Sequence, residues 1–422
     1  MPSGSLTPPA ETARAEARRL RLLFAVPFSP RLDAMHGGRV VAQLLLRLAE
    51  RHDIAVLYLS RPDSEPIQPE LAERCRFVEE VELPRPSWSG HKWRSRLRVL
   101  QGLLTGMPNQ ASAVRTRRFG RALRSAVRRW EPQLIQLDHD ELAQYARWLR
   151  SVATPAVLVS HDPDPARSDF GRTTPVREGR ARKLDAHSWR RYRRRFLRRF
   201  GAVVAFTEQD RRVLLADAPR LHVACIPMGI DFPAEPLDPL GAAEPSIVFV
   251  GGYRHPPNAD AALLLLRSIA PLARRAVPEL RLLLVGDSPT AEMRAEARSL
   301  DTVTGTVSSV TPWLNRASLV VLPLRLGGGM RVKLLEALAS GKAVIASPTA
   351  AAGLDVADGR QLVLAGTDQE FADAIVALLG DDERRGSLGR AAREWSLEHL
   401  DWEPRVRAYE QLYHSLVDPA TG

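Results

Sequence analysis

The stretch Leu322–Ser347, LPLRLGGGMRVKLLEALASGKAVIAS, decides the fold. It begins at the end of an apolar run, Leu319 to Leu322, which stops at Pro323. Gly327, Gly328 and Gly329 then turn the chain, a helix is expected from about Met330, and the apolar segment Ala343 to Ala346 follows. Strand, glycine turn, helix and strand at this spacing make one unit of a parallel sheet with a right-handed crossover. Glycines let a ligand come close to the backbone. A helix N-terminus adds unpaired N–H groups and a partial positive charge, so the turn suits an anion. Arg331 and Lys333 stand in the first helical turn, where the dipole disfavours cations; an anion that offsets them is the preferred reading. An ordinary strand–helix turn with two solvated bases is the alternative. Glu336 lies one turn on, beside Lys333. Taken alone it reads as a surface ion pair, which contributes little.

The same alternation continues in both directions. Upstream, Ile247–Val250 reads as a strand ending at Gly251-Gly252, Ala259–Ala276 as a helix, and Leu280–Val285 as a strand ending at Gly286. Before these lies DFPAEPLDPLGAAEP, residues 231–245, with the composition of a linker. The first half starts over with its own strands, at Leu22–Val26, Ile54–Leu59, Leu134–Leu137, Ala156–Ser160 and Gly201–Phe206. A loop holding Gly37 and Gly38, then a helix from Val40 to Arg51, separates the first two. Two doubly wound α/β domains facing each other across a hinge are the expected fold. The expected division is a tail at 1–19, a first domain at 20–235, a second at 236–400, and a terminal helix at 401–422.

The chain has 422 residues, 45% hydrophobic and 26% charged, which suits globular domains and excludes disorder as the main state. No apolar run is long enough to span a membrane, and Met1–Arg19 does not read as a secretory signal. Cys75 and Cys225 are too few for a disulfide framework or a zinc cage. A reducing cytoplasm is the expected location. Net charge is +11, and only four of the 60 basic residues are lysine. This excess reads either as an arginine-rich background or as a polyanionic partner. Its densest part, Arg172 to Arg199, carries Trp189, Tyr192, Phe196, Leu197 and Phe200 at helical spacing. Such a helix either contacts anionic lipid or packs its aromatic face on its own domain, and packing is the favoured reading. No nucleic-acid module signature accompanies it.

Other chemistry is narrowed by the same residues. Gly341-Lys342 lacks the earlier glycine of a P-loop, no GxGxxG opens a helix, and no HExxH exists. Asp138-His139-Asp140 and Asp162-Pro163-Asp164 could each hold a hard cation, but short Asp pairs are common in loops, and no metal is expected. His139 and His161 each follow a strand, at the edge where ligands of such sheets bind.

The block GGGMRVKLLEALASGKAVIAS with Gly353-Leu354 resembles the donor-binding signature of family 4 glycosyltransferases of the GT-B fold. Ile226-Pro227-Met228-Gly229-Ile230-Asp231 resembles the family's crossing into its second domain, and Thr207–Arg211 the segment before it. Val250-Gly251-Gly252, Pro257-Asn258-Ala259-Asp260, Val303-Thr304-Gly305 and Pro323-Leu324 match further landmarks in order. Residues 20 to 415 are covered.

The resemblance implies two Rossmann-like domains and transfer of a sugar from a nucleotide-diphosphate sugar to an acceptor hydroxyl, with retention at the anomeric carbon. It assigns Gly251, Gly252, Arg254, Gly327, Gly328, Gly329, Met330 and Glu336 to the donor, with Glu336 on the ribose. It assigns Arg331 and Lys333 to the departing diphosphate, and His161 to the neighbourhood of the reacting sugar. Gly37, Gly38, Arg39 and His139 fall on the acceptor or phosphate side. Trp402–Leu416 resembles the family's last helix, which crosses back to the first domain. One departure is Gly328, where the family usually has a first glutamate. A non-catalytic nucleotide-sugar- or polyanion-binding protein on the same scaffold is the alternative. The implied partners are a nucleotide sugar, an acceptor that is a lipid-linked saccharide, a protein or a small metabolite, and an anionic inner membrane face touched through 172–199. No cofactor and no nucleic acid are implied.

Overall fold

The computed structural model describes residues 18–33, 37–62, 64–83, 106–161, 163, 178–242, 244–325 and 332–418. The first domain is built on seven parallel strands: β1 (Arg21–Val26), β2 (Asp53–Ser60), β3 (Phe77–Glu82), β4 (Leu134–Asp138), β5 (Ala156–Val159), β6 (Ala202–Ala205) and β7 (Val223–Cys225). Their order is β3-β2-β1-β4-β5-β6-β7. The second has six: β8 (Ser246–Val250), β9 (Arg281–Val285), β10 (Asp301–Val303), β11 (Leu319–Leu322), β12 (Val344–Ala346) and β13 (Val363–Leu364), ordered β10-β9-β8-β11-β12-β13. Central strands covered on both faces should be continuously apolar. Leu22–Val26 and Ile247–Phe249 are accordingly buried without a break.

Strand order reverses between β1 and β4, and again between β8 and β11. Ligands of such sheets bind beyond the carboxyl ends of the strands at these points. The loops there lead into α1 (Gly37–Arg51), into the His139 segment, into α3 (Pro256–Leu264) and into α4 (Val332–Ala339), while α2 (Glu178–Phe196) comes between β5 and β6 in the chain. Gly37-Gly38 differs from the loop expected of it, because both residues belong to the first turn of α1. The helix expected from Ala259 to Ala276 begins at Pro256, where proline needs no N–H partner, and includes a π turn at Leu265–Ile269.

The 231–245 stretch forms no helix or strand, yet it is fastened. Asp231 accepts from Gln43 and from Arg47 at 2.6 Å. The Leu237 amide donates to the Ser340 carbonyl, and Lys342 Nζ to the Asp238 carbonyl. After α5 (Asp382–His399), α6 (Trp402–Val417) returns to the first domain. Arg51 reaches Glu403 at 2.7 Å and Glu410 at 3.0 Å, His52 Nε2 lies 3.2 Å from Glu410, and Tyr413 donates to Gln136 on β4.

Candidate active site in the interdomain cleft

Helix α4 starts at the carboxyl edge of β11, so its first turns face the first domain. Lys333 and Glu336 are three residues apart and share one side of it. Arg39, in the first turn of α1, crosses the cleft to place Nη1 3.2 Å from Glu336 Oε1. Lys333 Nζ donates to Asn258 Oδ1 at 2.9 Å, and Asn258 Nδ2 donates to the Gly252 carbonyl at 2.7 Å. Arg39, Lys333 and Glu336 border an open cleft of about 820 Å³. Asp33 and Arg39 line it from the first domain, and Ser308, Ser309, Lys333 and Glu336 from the second. Gly327, Gly328, Gly329, Met330 and Arg331 lie outside the described residues.

Burial draws the Lys333 ammonium down to about 8, and Glu336 partly offsets this. Burial raises the Glu336 carboxyl, against the pull of Arg39 and Lys333, and Asp231 adds to the rise. The cleft sets the Lys333 and Arg39 side chains around the Glu336 carboxyl group, a set that suits a ligand with both phosphate oxygens and hydroxyl donors.

The glycines before α3 fit the close packing of this corner. A Cβ on Gly251 would stand 3.2 Å from Asn258, and the Gly251 amide donates to the Val285 carbonyl. Arg254 is exposed and donates to Ser288 Oγ at 2.8 Å, outside the cleft lining. In the sequence Asn258 stands within the family landmark Pro257-Asn258-Ala259-Asp260, with no site role assigned to it. A further signal was its place just past Pro256-Pro257, at the head of a helix that follows a glycine pair.

His139 and His161 occupy a different position from Lys333 and Glu336. Their rings stack face to face, with centroids 3.6 Å apart and planes within 9°. Phe28 meets His139 edge-on, and Phe206 meets His161 in the same way. His161 is 5% exposed and borders a small, mainly apolar cavity between α1, the sheet edge and α6. His161 Nε2 lies 3.4 Å from Asp138 Oδ1, Gln136 donates to the other Asp138 oxygen at 3.1 Å, and Tyr413 of α6 donates to Gln136. A polar Gln136 in the middle of the apolar run LIQLD was the sequence sign of this network. His139 reaches its place through a left-handed backbone, φ 70°, a conformation that non-glycine residues adopt only when held there.

Burial, the one cause, takes His161 down to about 3. Burial takes His139 well below its ordinary range, and His161 adds to this. Burial also pushes Asp138 up to about 6, opposed by Gln136 and His139. The Asp pairs are engaged internally where they are described: Asp138 in this network, and Asp140 by Ser160 Oγ and the His161 amide. Asp162 and Asp164 lie outside the described residues. Among the described residues no group of three or more His, Cys, Asp or Glu is arranged to hold a metal ion.

In the 172–199 run, Trp189, Tyr192, Phe196, Leu197 and Phe200 are buried in the core of the first domain, as the packing reading expects. Arg193 is buried too, paired with Asp217 at 2.5 Å. Arg190, Arg191, Arg194, Arg195, Arg198 and Arg199 remain exposed. Residues 172–177 lie outside the described residues, and no described helix is long and apolar enough to cross a membrane.

Comparison with known proteins agrees with this arrangement. Residues 37–232 match the family description "Glycosyltransferase Family 4", and residues 244–381 match "Glycosyl transferases group 1". Between them they take in both sheets, and the chain belongs to the family 4-like glycosyltransferases of the GT-B fold. The structure is similar to sucrose-phosphate synthase from Thermosynechococcus elongatus, with a TM-score of 0.70, 18% identity, and coverage of 95% of this chain and 100% of that one. It is also similar to HepE from Anabaena in complex with UDP-glucose, with a TM-score of 0.64, 16% identity, and coverage of 93% and 99%. A GDP-mannose-dependent α-(1-6)-phosphatidylinositol monomannoside mannosyltransferase from Mycolicibacterium smegmatis is 29% identical over 165 residues, 35% of this chain and 43% of that protein. An uncharacterised glycosyltransferase of Methanocaldococcus jannaschii is 31% identical over 94 residues. The matched segments thus span under half of one curated relative and 24% of the other.

The histidine stack gives a pH test. An unfolded histidine takes a proton near pH 6.5, whereas folded His161 resists one until about pH 3. Below pH 6.5 the unfolded chain binds more protons, so stability falls as pH falls, by up to ~1.4 kcal/mol per pH unit for each such group. Denaturant midpoints between pH 6.5 and 4.5 should fall less steeply for His161→Gln than for the wild type. Equal slopes would mean that His161 charges freely in the folded protein.

Proposed function

We propose that the protein transfers a glycosyl group from a nucleotide-diphosphate sugar to an acceptor hydroxyl with retention of anomeric configuration. The observation that carries this reading is the placement of Lys333 and Glu336 on the first turns of α4, facing Arg39 across the cleft. In the reaction the bond from the anomeric carbon to the diphosphate oxygen breaks. A bond from that carbon to the acceptor oxygen forms on the same face, and the acceptor proton passes to the departing phosphate. Charge grows on the diphosphate as it leaves, and cations already in place stabilise it. Lys333 takes that role, the family resemblance assigns Arg331 to it as well, and Glu336 accepts from the ribose hydroxyls.

Support for the donor class comes from relatives and neighbours. HepE has been crystallised with UDP and with UDP-glucose, and the mycobacterial relative is named for GDP-mannose. Both are nucleoside diphosphate sugars. Glu336→Ala should lower transfer 10- to 100-fold, the loss of a charged hydrogen bond of about 1.5–3 kcal/mol. Lys333→Ala should weaken UDP or GDP by a similar factor in calorimetry and leave the free nucleoside unchanged. Equal losses for nucleoside and diphosphate would place Lys333 away from phosphate.

The cations and the α4 N-terminus make a metal ion unnecessary in this reading. Transfer should persist in excess EDTA; arrest by chelator and recovery with Mg²⁺ or Mn²⁺ would refute it.

The proposed location is cytoplasmic, with peripheral contact at the inner membrane face through the exposed arginines of α2 and the turn after it. Each basic residue near an anionic surface contributes about 1 kcal/mol, screened by salt. Such contact would suit a lipid-linked acceptor. Co-sedimentation with anionic vesicles at low salt should fall when Arg190, Arg191, Arg194 and Arg195 become Gln. No binding by the wild type at low salt would favour a soluble acceptor.

A further inference from the structure

Asn258 is 1% exposed at the head of α3, and both ends of its amide are in use. The Gly252 carbonyl can only accept, so the Asn258 NH₂ must face it and the oxygen must face Lys333. Gly251 leaves the room for this, since a Cβ there would already press on the Asn258 side chain at 3.2 Å. An ammonium on a flexible four-carbon stem has no preferred direction of its own. Here the backbone after β8 aims the amide, and the amide aims the ammonium.

We propose that Asn258 is a positioning residue for Lys333: its amide oxygen fixes where the ammonium stands in the cleft, while Asn258 itself touches no substrate. The inference rests on reading the cleft as a nucleotide-sugar site. Several charged or titratable groups face Lys333. Glu336 is on its own helix, Arg39 lies beyond Glu336, His255 heads α3, and Asp33 lies on the opposite wall. His255 is held down to about 4, by burial first and Lys333 second and against a hydrogen bond with the Asn258 side chain, so it is neutral when Lys333 titrates. An acceptor on the ammonium favours its charged form. Removing that acceptor should lower the Lys333 titration, which burial already draws down to about 8.

The chain has only four lysines. Isotope-labelled lysine in the full-length protein therefore gives a readable spectrum, with the Lys333 signal assigned by Lys333→Arg. Asn258→Ala should move the Lys333 titration down by about one pH unit. Asn258→Asp, of the same shape but charged, should move it up. At pH 8, Asn258→Ala should weaken UDP or GDP about tenfold and leave uridine and guanosine unchanged. A merely structural role would not shift the titration in opposite directions in the two variants. Lys333 titrating alike in wild type, Asn258→Ala and Asn258→Asp would overturn the inference, and would do so even if Lys333→Ala still weakened the diphosphates. If Lys333→Ala binds both diphosphates as tightly as the wild type, the reading of the cleft fails and this inference fails with it.

Discussion

The cleft depends on how α6 is seated. The helix that ends the second domain lies on the first, and its contacts allow one placement. Trp402 fills the space that a Cβ on Gly229 would need, at 2.3 Å. Glu410 is 8% exposed, and a carboxylate that deep is costly unless its partners are in register. Arg51 and His52, adjacent between α1 and β2, supply them. Three residues further along α6, Tyr413 reaches Gln136 in the middle of β4. The backbone closes the same joint where the Ile230 amide donates to the Leu400 carbonyl at 3.0 Å. Both switch points lie at carboxyl edges, so holding the domains in this way makes those edges face each other.

Within the cleft the two cation contacts differ in how easily they yield. Arg39 and Glu336 keep 38% and 31% of their side-chain exposure. Pairs open to solvent contribute about 0–1 kcal/mol. A ligand with its own donors and acceptors can replace that contact at small cost, and Arg39 and Glu336 are then free to bind it. The Lys333–Asn258 contact is of the other kind, since Asn258 is buried and its amide cannot turn without losing Gly252. One side of the site is adaptable and the other fixed. That combination suits a ligand whose charged end must be held in one place while the rest arrives from the open side.

The sequence showed the central strands plainly, because a strand covered on both faces has no polar residues to confuse it. The edge strands were hidden for the opposite reason. Phe77–Glu82 is partly exposed and carries three glutamates, Asp301–Val303 has three residues, and Val363–Leu364 has two. Lys333 and Glu336 were legible because their spacing is local. The Arg39–Glu336 contact, 297 residues apart in the chain, was not. The histidine pair was visible as two residues at strand ends. Its stacking depends on one left-handed backbone position at His139, which no local pattern announces. Gly341-Lys342, which resembled the end of a phosphate loop, serves the linker instead, with Lys342 fully buried against the Asp238 carbonyl.

The abundance of arginine had two readings, a compositional background or a polyanionic partner, and its placement bears on both. Several arginines stand over aromatic rings: Arg47 over Trp402 at 4.9 Å, Arg124 over Trp148 at 5.2 Å, Arg129 over Phe77 at 5.1 Å and Arg393 over Phe232 at 4.9 Å. A planar, weakly hydrated guanidinium can do this, and a compact ammonium does it less well. Others, such as Arg193 against Asp217, are buried ion pairs. Part of the positive charge is therefore packing material. Lysine follows the reverse logic. Lys333 and Lys342 each direct Nζ at an oxygen, that of an amide side chain in one case and a backbone carbonyl in the other. A point charge on a thin stem fits such a pocket, and a five-donor fork would leave most of its N–H groups unpaired there.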